Sequence, residues 1–433
     1  MDKKVGVISL GCDKNRVDSE KMLYKLKEEF TLTNDVTQAE IIVVNTCAFL
    51  ESARKEAISE LIDCNELKKT GKLEKLVCTG CLPQKFIDEL YNDFTEVDVF
   101  LGVSDYDKIN DAIKLSYKGV RVNMVGQVKK DFDTKRVRTT DNYAYLKIAD
   151  GCNNHCTYCL IPSIRGRYRS ESVENLVKEA SMLGEVSELI LVAQDVTKYG
   201  QDLENVNIVT LLRELTKLEN VKKIRLLYCY PESITDELIQ EIKLNDKIIK
   251  YVDMPLQHAD DRVLKLMNRR GTSKDYKDLI AKLRKEVKGI AIRSTFIAGF
   301  PSEDEEAFNN LLEFIKEVKL TNAGFFAYSK EYGTPAYKLK NQVPSRTKQS
   351  RVKKLYKAQQ SVSDNFLCTF VGKEIEVTVD CFNGICYQAR AYFSAPDIDG
   401  VVYLTGVKEV ENGKTYKALI KSYENHDLYG EIL

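Results

Sequence analysis

Three cysteines stand close together in the stretch Asp150-Gly-Cys152-Asn-Asn-His-Cys156-Thr-Tyr158-Cys159. Their gaps of four and three residues let a loop curl until the thiolates converge on the corners of one iron–sulfur cube. A cube held wholly by protein takes four thiolates. Three leave one iron open, and an open iron is where a small chelating molecule binds. Zinc sites usually pair one CxxC with a second, or with histidines. His155, inside the loop, points away if the cysteines converge.

This is the layout of a radical S-adenosylmethionine (SAM) enzyme. The open iron chelates the amino and carboxylate groups of SAM, and the cluster electron cleaves it, chemistry that ordinary side chains do not supply. The chain holds 12 cysteines in 433 residues. Their irregular spacing in so long a chain argues against a disulfide scaffold and for metal clusters. No stretch approaches the 18 apolar residues of a membrane helix, and the N-terminus runs straight into a strand rather than a signal peptide. A cytoplasmic protein is expected.

A second set of cysteines emerges from the element pattern. Apolar runs at 4–10, 40–46 and 73–79 read as strands. Each is followed by a cysteine, Cys12, Cys47 or Cys81, and then by a helix, over about 18–30, 51–69 and 84–94. Strand–helix alternation argues for an open parallel sheet, whose C-terminal strand ends line a ligand crevice. Cys12, Cys47 and Cys81 would share that edge, about one strand–helix unit apart, and hold a second cube with an open iron. Alternatively, they are cysteines that merely favour cores and strand ends. Cys78 and Cys64 read as packing residues.

Six strand-like segments follow, at 143–149, 188–193, 223–228, 251–254, 290–298 and 324–328, with helices over 173–183, 208–218, 235–243, 274–287 and 305–318. They read as a partial parallel (βα)6 barrel, with reactive groups at the C-terminal strand ends. Gln194 and Arg293 are polar groups expected near such ends, suited to the amino-acid or ribose part of SAM. Gly299, before Pro301, offers a turn where backbone approaches adenine or ribose closely. Tyr158 lies within the cysteine loop and is placed on the cofactor side. Arg165, Arg167 and Arg169 form a basic run, either a solvated face or contacts to SAM or a polypeptide. His258 receives no role.

Residues 345–357 hold six basic and no acidic side chains and read as an exposed connecting helix. Beyond 371, short alternating segments at 375–379, 385–392, 401–404, 418–423 and 428–432 suggest a small OB-like β-barrel. Net charge over the whole chain is +0, but residues 371–433 carry six Lys/Arg against ten Asp/Glu. An acidic module repels phosphates and attracts a basic partner. Cys368, Cys381 and Cys386 are expected to be structural. The α/β chain thus divides into an N-terminal cluster domain (1–125), a barrel core (138–368) and a β-barrel (370–433).

With these motifs in place, the sequence resembles the methylthiotransferases of the radical SAM superfamily over essentially its whole length. The resemblance is carried by Ser9-Leu-Gly-Cys12-Asp-Lys-Asn, by Ile148 through Ser170 around the cysteine loop, and by Val192-Ala-Gln-Asp195. Leu227-Tyr-Cys-Tyr-Pro-Glu-Ser and Val252-Asp-Met-Pro-Leu-Gln-His-Ala add to it. Asp13 stands where the family often has proline. The resemblance implies two 4Fe-4S clusters, one on Cys152, Cys156 and Cys159 and an auxiliary one on Cys12, Cys47 and Cys81. It also implies SAM, a reducing electron donor and a C-terminal TRAM domain. No protein acid–base residue is required, which fits a chain with three histidines. Within the family the sequence looks like the enzymes that methylthiolate an aspartate β-carbon of ribosomal protein S-twelve. The acidic last domain suits that basic protein and disfavours transfer RNA. The alternatives are a tRNA adenosine methylthiotransferase and a non-enzymatic iron–sulfur electron carrier or nucleic-acid-binding protein.

Overall fold

A computed structural model describes residues 3–129, 133–406 and 410–433. Lys408 and Glu409, counted in the charge of the last segment, lie outside the described residues. No helix among those described is long and apolar enough to cross a membrane.

The first unit is a six-stranded parallel sheet. Across it the order is Thr31–Leu32, Lys4–Ser9, Ile41–Thr46, Lys75–Gly80, Val99–Leu101 and Val122–Met124. Ile41–Thr46 is buried at every position, as a strand covered on both faces must be. The three strands beyond those read from sequence are two or three residues long, too short to show a period. Ser9 pairs with Asn45, and Thr46 with Gly80, so three adjacent strands end level. Their loops deliver Cys12, Cys47 and Cys81 to one edge.

The first helix is Asp13–Leu26, not 18–30 as the sequence suggests. Its start is masked by polar residues that are nonetheless buried: Lys14, Asn15, Asp18, Glu20 and Lys21. They face the second unit, so hydrophobic periodicity could not find them.

The second unit is six parallel strands in chain order: Tyr143–Lys147, Val186–Val192, Val221–Leu226, Ile248–Asp253, Ala291–Ala298 and Asn322–Ala327. Each segment expected from sequence is there. The helix Ser345–Leu367 corrects the expectation of an exposed connector. Arg351, Leu355, Gln359, Ser363 and Leu367 form a buried stripe at intervals of four, lying across the last strand and the helix Glu305–Val318. An uncovered edge strand would invite pairing with other chains, and this helix covers it.

The third unit is a closed five-stranded barrel of Glu374–Phe382, Tyr387–Arg390, Val402–Thr405, Asp427–Ile432 and Thr415–Glu424. Its core, including Val377, Val379, Leu404 and Ile420, is continuous with Tyr145, Ile190, Ile249 and Tyr251 of the larger barrel. The seam is closed by charge. Glu188 sits between Arg225 and Arg390. Arg390 and Arg225 outweigh the effect of burial and hold the Glu188 carboxyl down at about 2. Cys381 and Cys386 are half-buried and Cys368 is exposed, so none of the three is a core residue.

Candidate active site between the sheet edge and the barrel mouth

The three N-terminal cysteines converge because their loops are allowed to approach. Gly11 and Gly80 have φ of 94° and 96°, which side chains disfavour. A Cβ on Gly11 would stand 2.7 Å from the Cβ of Cys47, and one on Gly80 would meet the backbone of Thr46 at 2.6 Å. Asn15 clasps the loops. Its amide donates to the carbonyls of Leu10 (3.0 Å) and Thr46 (3.1 Å), and its oxygen lies 4.0 Å from the Cys81 sulfur. Cys47 and Cys81 are buried, while Cys12 is exposed. Burial pushes the Cys81 thiol up to about 12 and also raises Cys47, with Arg165 opposing both.

The second triad needs no long-range topology. Cys152, Cys156 and Cys159 lie in the loop after the first barrel strand, all partly buried. Backbone N–H groups of Asn154 and Ile161 donate to the sulfurs of Cys152 and Cys159, each at 3.4 Å. The loop is pinned from outside, Thr157 N–H donating to the Met267 carbonyl and Ala336 N–H to the Thr157 carbonyl. His155 is exposed.

Both triads fit an iron–sulfur group on chemistry. Burial raises the thiols of Cys47, Cys81, Cys152 and Cys159, which favours their neutral form, and a bound metal converts such thiols to thiolates. Among the described residues no three His, Cys, Asp or Glu side chains are gathered as tightly as one ion would require. A cube holds its thiolates at separate corners and needs wider spacing. Two buried atoms near the second triad lack a partner: Oε1 of Gln194 and Nε of Arg269. An acceptor and a donor left open beside the cysteine loop suit a ligand with amino and carboxylate groups.

A buried polar chain joins the two triads. Gln194 donates to Asp150 (3.2 Å), which directly precedes the cysteine loop. Arg165 donates to Asp150 (2.9 Å), Asp18 (3.1 Å) and Asn15 (2.6 Å). Lys147 bonds Asp18 and lies 3.4 Å from Asp150. Burial works against ionised Asp150, but Arg165 and Lys147 prevail and hold its carboxyl well below the usual range. Arg165 is 2 % exposed, so it is not part of a solvated face, one of the two readings of the basic run. It is an internal brace.

The remaining expected residues fare differently. Gln194 follows the second barrel strand, at its C-terminal end, and bonds Asp150 before the cysteine loop. Tyr158 lies edge-on to Phe300, centroids 6.5 Å apart. Arg293 is the third residue of its strand rather than near the end, and pairs with Asp253 (2.9 Å) and Asp399 (3.3 Å). It therefore ties the larger barrel to the small one. Gly299 has φ of 75°. The space its Cβ would fill holds the Lys348 side chain, and its N–H donates to buried Glu303 at 2.7 Å. The glycine thus serves a strand-to-helix turn. His258 is fully buried and bridges Glu303 and the Asp260 N–H. Sequence reasoning missed Asn15, Asp18 and Arg269. Asn15 and Asp18 lie within a turn or two of Cys12, and that proximity was the available signal.

Comparison with known proteins agrees with this three-unit fold. The Radical SAM superfamily profile matches residues 146–315, the Uncharacterized protein family UPF0004 profile residues 4–102, and the TRAM domain profile residues 371–433. The chain is 44 % identical to the ribosomal protein uS12 methylthiotransferase RimO of Clostridium botulinum (strain Eklund 17B / Type B), covering 99 % of this chain and 98 % of that protein. It is likewise 44 % identical to RimO of Thermoanaerobacter sp. (strain X514), over 99 % and 100 %. Among solved structures, the radical SAM methyltransferase TsrM from Kitasatospora setae shares the fold, with TM-score 0.57 and 15 % identity over 78 % of this chain and 77 % of that one. The cobalamin-dependent radical enzyme OxsB does so at TM-score 0.51 and 13 % identity, over 83 % and 56 %.

Proposed function

The chain belongs to the family of ribosomal protein uS12 methylthiotransferases, and from that membership we infer that it replaces a β-hydrogen of an aspartate in ribosomal protein S-twelve by a methylthio group. It is a radical SAM transferase. The observation that carries the reading furthest is the pair of three-cysteine sites at the two ends of one buried polar chain, Gln194–Asp150–Arg165–Asn15.

Cys152, Cys156 and Cys159 would hold one 4Fe-4S cluster, and Cys12, Cys47 and Cys81 a second. With SAM bound, these groups supply the radical chemistry and the methylthio group. The chain's own side chains hold and orient. The N–H groups of Asn154 and Ile161 stabilise thiolate sulfur. Gln194 and Arg269 offer their open acceptor and donor to SAM, with Tyr158 beside them. Asp150 fixes Gln194 and, through Arg165, keeps the two loops in register. An electron must come from an external reductant.

The substrate's approach is supported by a cleft of about 720 Å³ between the first helix and the small barrel. Asp141, Asp380, Asp397 and Asp399 line it, with Arg16 and Arg390. Part of the acidic surplus serves docking within the chain, since Asp397 and Asp399 pair with Arg16 and Arg293. Glu374, Glu376, Glu411 and Glu424 remain exposed. Such a surface attracts a basic protein and repels RNA.

Anaerobic reconstitution tests the reading. The intact chain should hold about eight irons, and about four when either triad is replaced by alanine, as expected for two four-iron clusters. An intact chain that takes up only about four irons contradicts the second cluster. Reversing Glu374, Glu376 and Glu424 to lysine should weaken binding of the ribosomal protein. Unchanged binding, or tight tRNA binding by the original chain, contradicts the partner.

A further inference from the structure

We propose that Lys14 is the cation that takes the carboxylate of the substrate aspartate. The assignment rests on the substrate reading above and deepens it.

Lys14 is 7 % exposed. An ammonium carries three donors and no acceptor, and removing it from water is costly unless it is paired. Yet among the described residues no carboxylate lies within ion-pair distance of it. Its Nζ rests on the face of Tyr228, 3.2 Å from the ring centroid. A ring face compensates a cation only in part; Nζ is not among the fully buried unpartnered atoms, so its N–H donors keep contact with solvent and stand free for an incoming acceptor. The other buried cations around the site are matched: Arg165 and Lys147 by Asp18 and Asp150, and Arg293 by Asp253 and Asp399.

Its position suits the task. Lys14 lies two residues beyond Cys12, in the first turn of the helix that begins at Asp13. Tyr228 comes from the loop after the barrel strand Val221–Leu226, so the Lys14–Tyr228 pair spans from the auxiliary triad to the barrel mouth. Tyr228 is held at φ of 60°, a conformation unfavourable for a bulky side chain and found where surroundings over-determine it. Its N–H donates to Asp253 (3.0 Å) and its hydroxyl to Asp13 (3.1 Å). These two carboxylates are thereby engaged, Asp253 also by Arg293, and the ring is fixed beneath the ammonium. An aspartate's carboxylate is bonded directly to its β-carbon. A group that offers this carbon to the barrel and then to the auxiliary site must place its negative charge between them, where Lys14 stands. Adenosine carries no such charge, so the same lysine would select an acidic side chain.

The test compares two synthetic peptides spanning the candidate aspartate of the ribosomal protein, one with Asp and one with Asn there. They are titrated into the reconstituted chain by fluorescence anisotropy. The original chain should prefer the Asp peptide by about 10- to 100-fold, as a charge-assisted bond implies. Lys14→Met should bring the two affinities within about twofold of each other, and Lys14→Arg should keep a clear preference for Asp. Binding of radiolabelled SAM should be unchanged in Lys14→Met. Loss of SAM binding would mean that Lys14 serves the cofactor carboxylate, and would overturn the assignment. So would an Asp preference that survives Lys14→Met at matched iron content. Should that variant not fold, the original chain still decides, because equal affinity for both peptides overturns the assignment. If the original chain binds the Asp peptide but never modifies it, the substrate reading falls, and the assignment falls with it.

Discussion

The two groups of three cysteines are assembled by opposite routes. Cys152, Cys156 and Cys159 come from one short loop, and local backbone aims N–H groups at two of the sulfurs. Cys12, Cys47 and Cys81 come from three loops that only a level-ended parallel sheet brings together. The first site depends on spacing, the second on topology. A local change should therefore disable the first alone, whereas the second should fail wherever the sheet edge is disturbed.

The largest expected effects separate the sites by chemistry. Cys156→Ala should abolish both 5′-deoxyadenosine formation and peptide methylthiolation. Cys47→Ala should abolish methylthiolation while deoxyadenosine still forms. Chromatography of the nucleoside beside mass analysis of the peptide distinguishes the two, and identical profiles would erase the distinction between the sites.

Arg165→Met tests whether the sites are braced together. It leaves buried Asp18 and Asp150 with Lys147 as their remaining cation, and breaking such a network costs about 3–5 kcal/mol. Urea unfolding should show that loss, against less than about 0.5 kcal/mol for exposed Arg167→Met.

The seam with the small barrel should respond to pH where the cysteine sites are not involved. Glu188 is held at about 2, against an ordinary 4.5. A carboxyl lowered on folding stabilises the fold above its unfolded pKa, and that stability drains away as pH falls toward the folded value. The contribution is about 3 kcal/mol and should be lost between about pH 4.5 and pH 2. Denaturation of Glu188→Gln should show a flatter acid limb than the original chain; an equal slope would contradict the seam.

Gly80→Ala is the smallest change and the most selective. Its positive φ and close approach to Thr46 should cost about 1–3 kcal/mol. Iron should be lost from the auxiliary site while the loop site keeps its own. Equal loss from both would show that the sheet edge does not act alone.

The same contrast explains what the sequence makes legible. The loop cysteines were legible as a group because their spacing is local. The meeting of Cys12, Cys47 and Cys81 at one sheet edge was legible only through a topological rule, and that rule sufficed because strands of buried Ile and Val announce themselves. The six barrel strands were legible for the same reason. What escaped was polar and long-range. Arg165 looks like part of a surface run, yet it is buried by a helix about 150 positions away in sequence. The first helix hid its start because its buried face is Lys, Asn, Asp and Glu. The helix Ser345–Leu367 read as exposed because its basic residues outnumber a stripe that includes Arg351 and Gln359. Arg293 and Gly299 were read from strand-end logic, which does not show the ion pairs of Arg293 with Asp253 and Asp399 or the packing of Lys348 against Gly299.

The most direct measurement is the mass of a peptide spanning the candidate aspartate of ribosomal protein S-twelve, after anaerobic incubation with the reconstituted chain, SAM and a reductant. The account predicts a gain matching replacement of one hydrogen by a methylthio group, and none with Cys12→Ala. An unmodified peptide beside abundant 5′-deoxyadenosine, with both clusters in place, would contradict it and redirect the search for a substrate to transfer RNA.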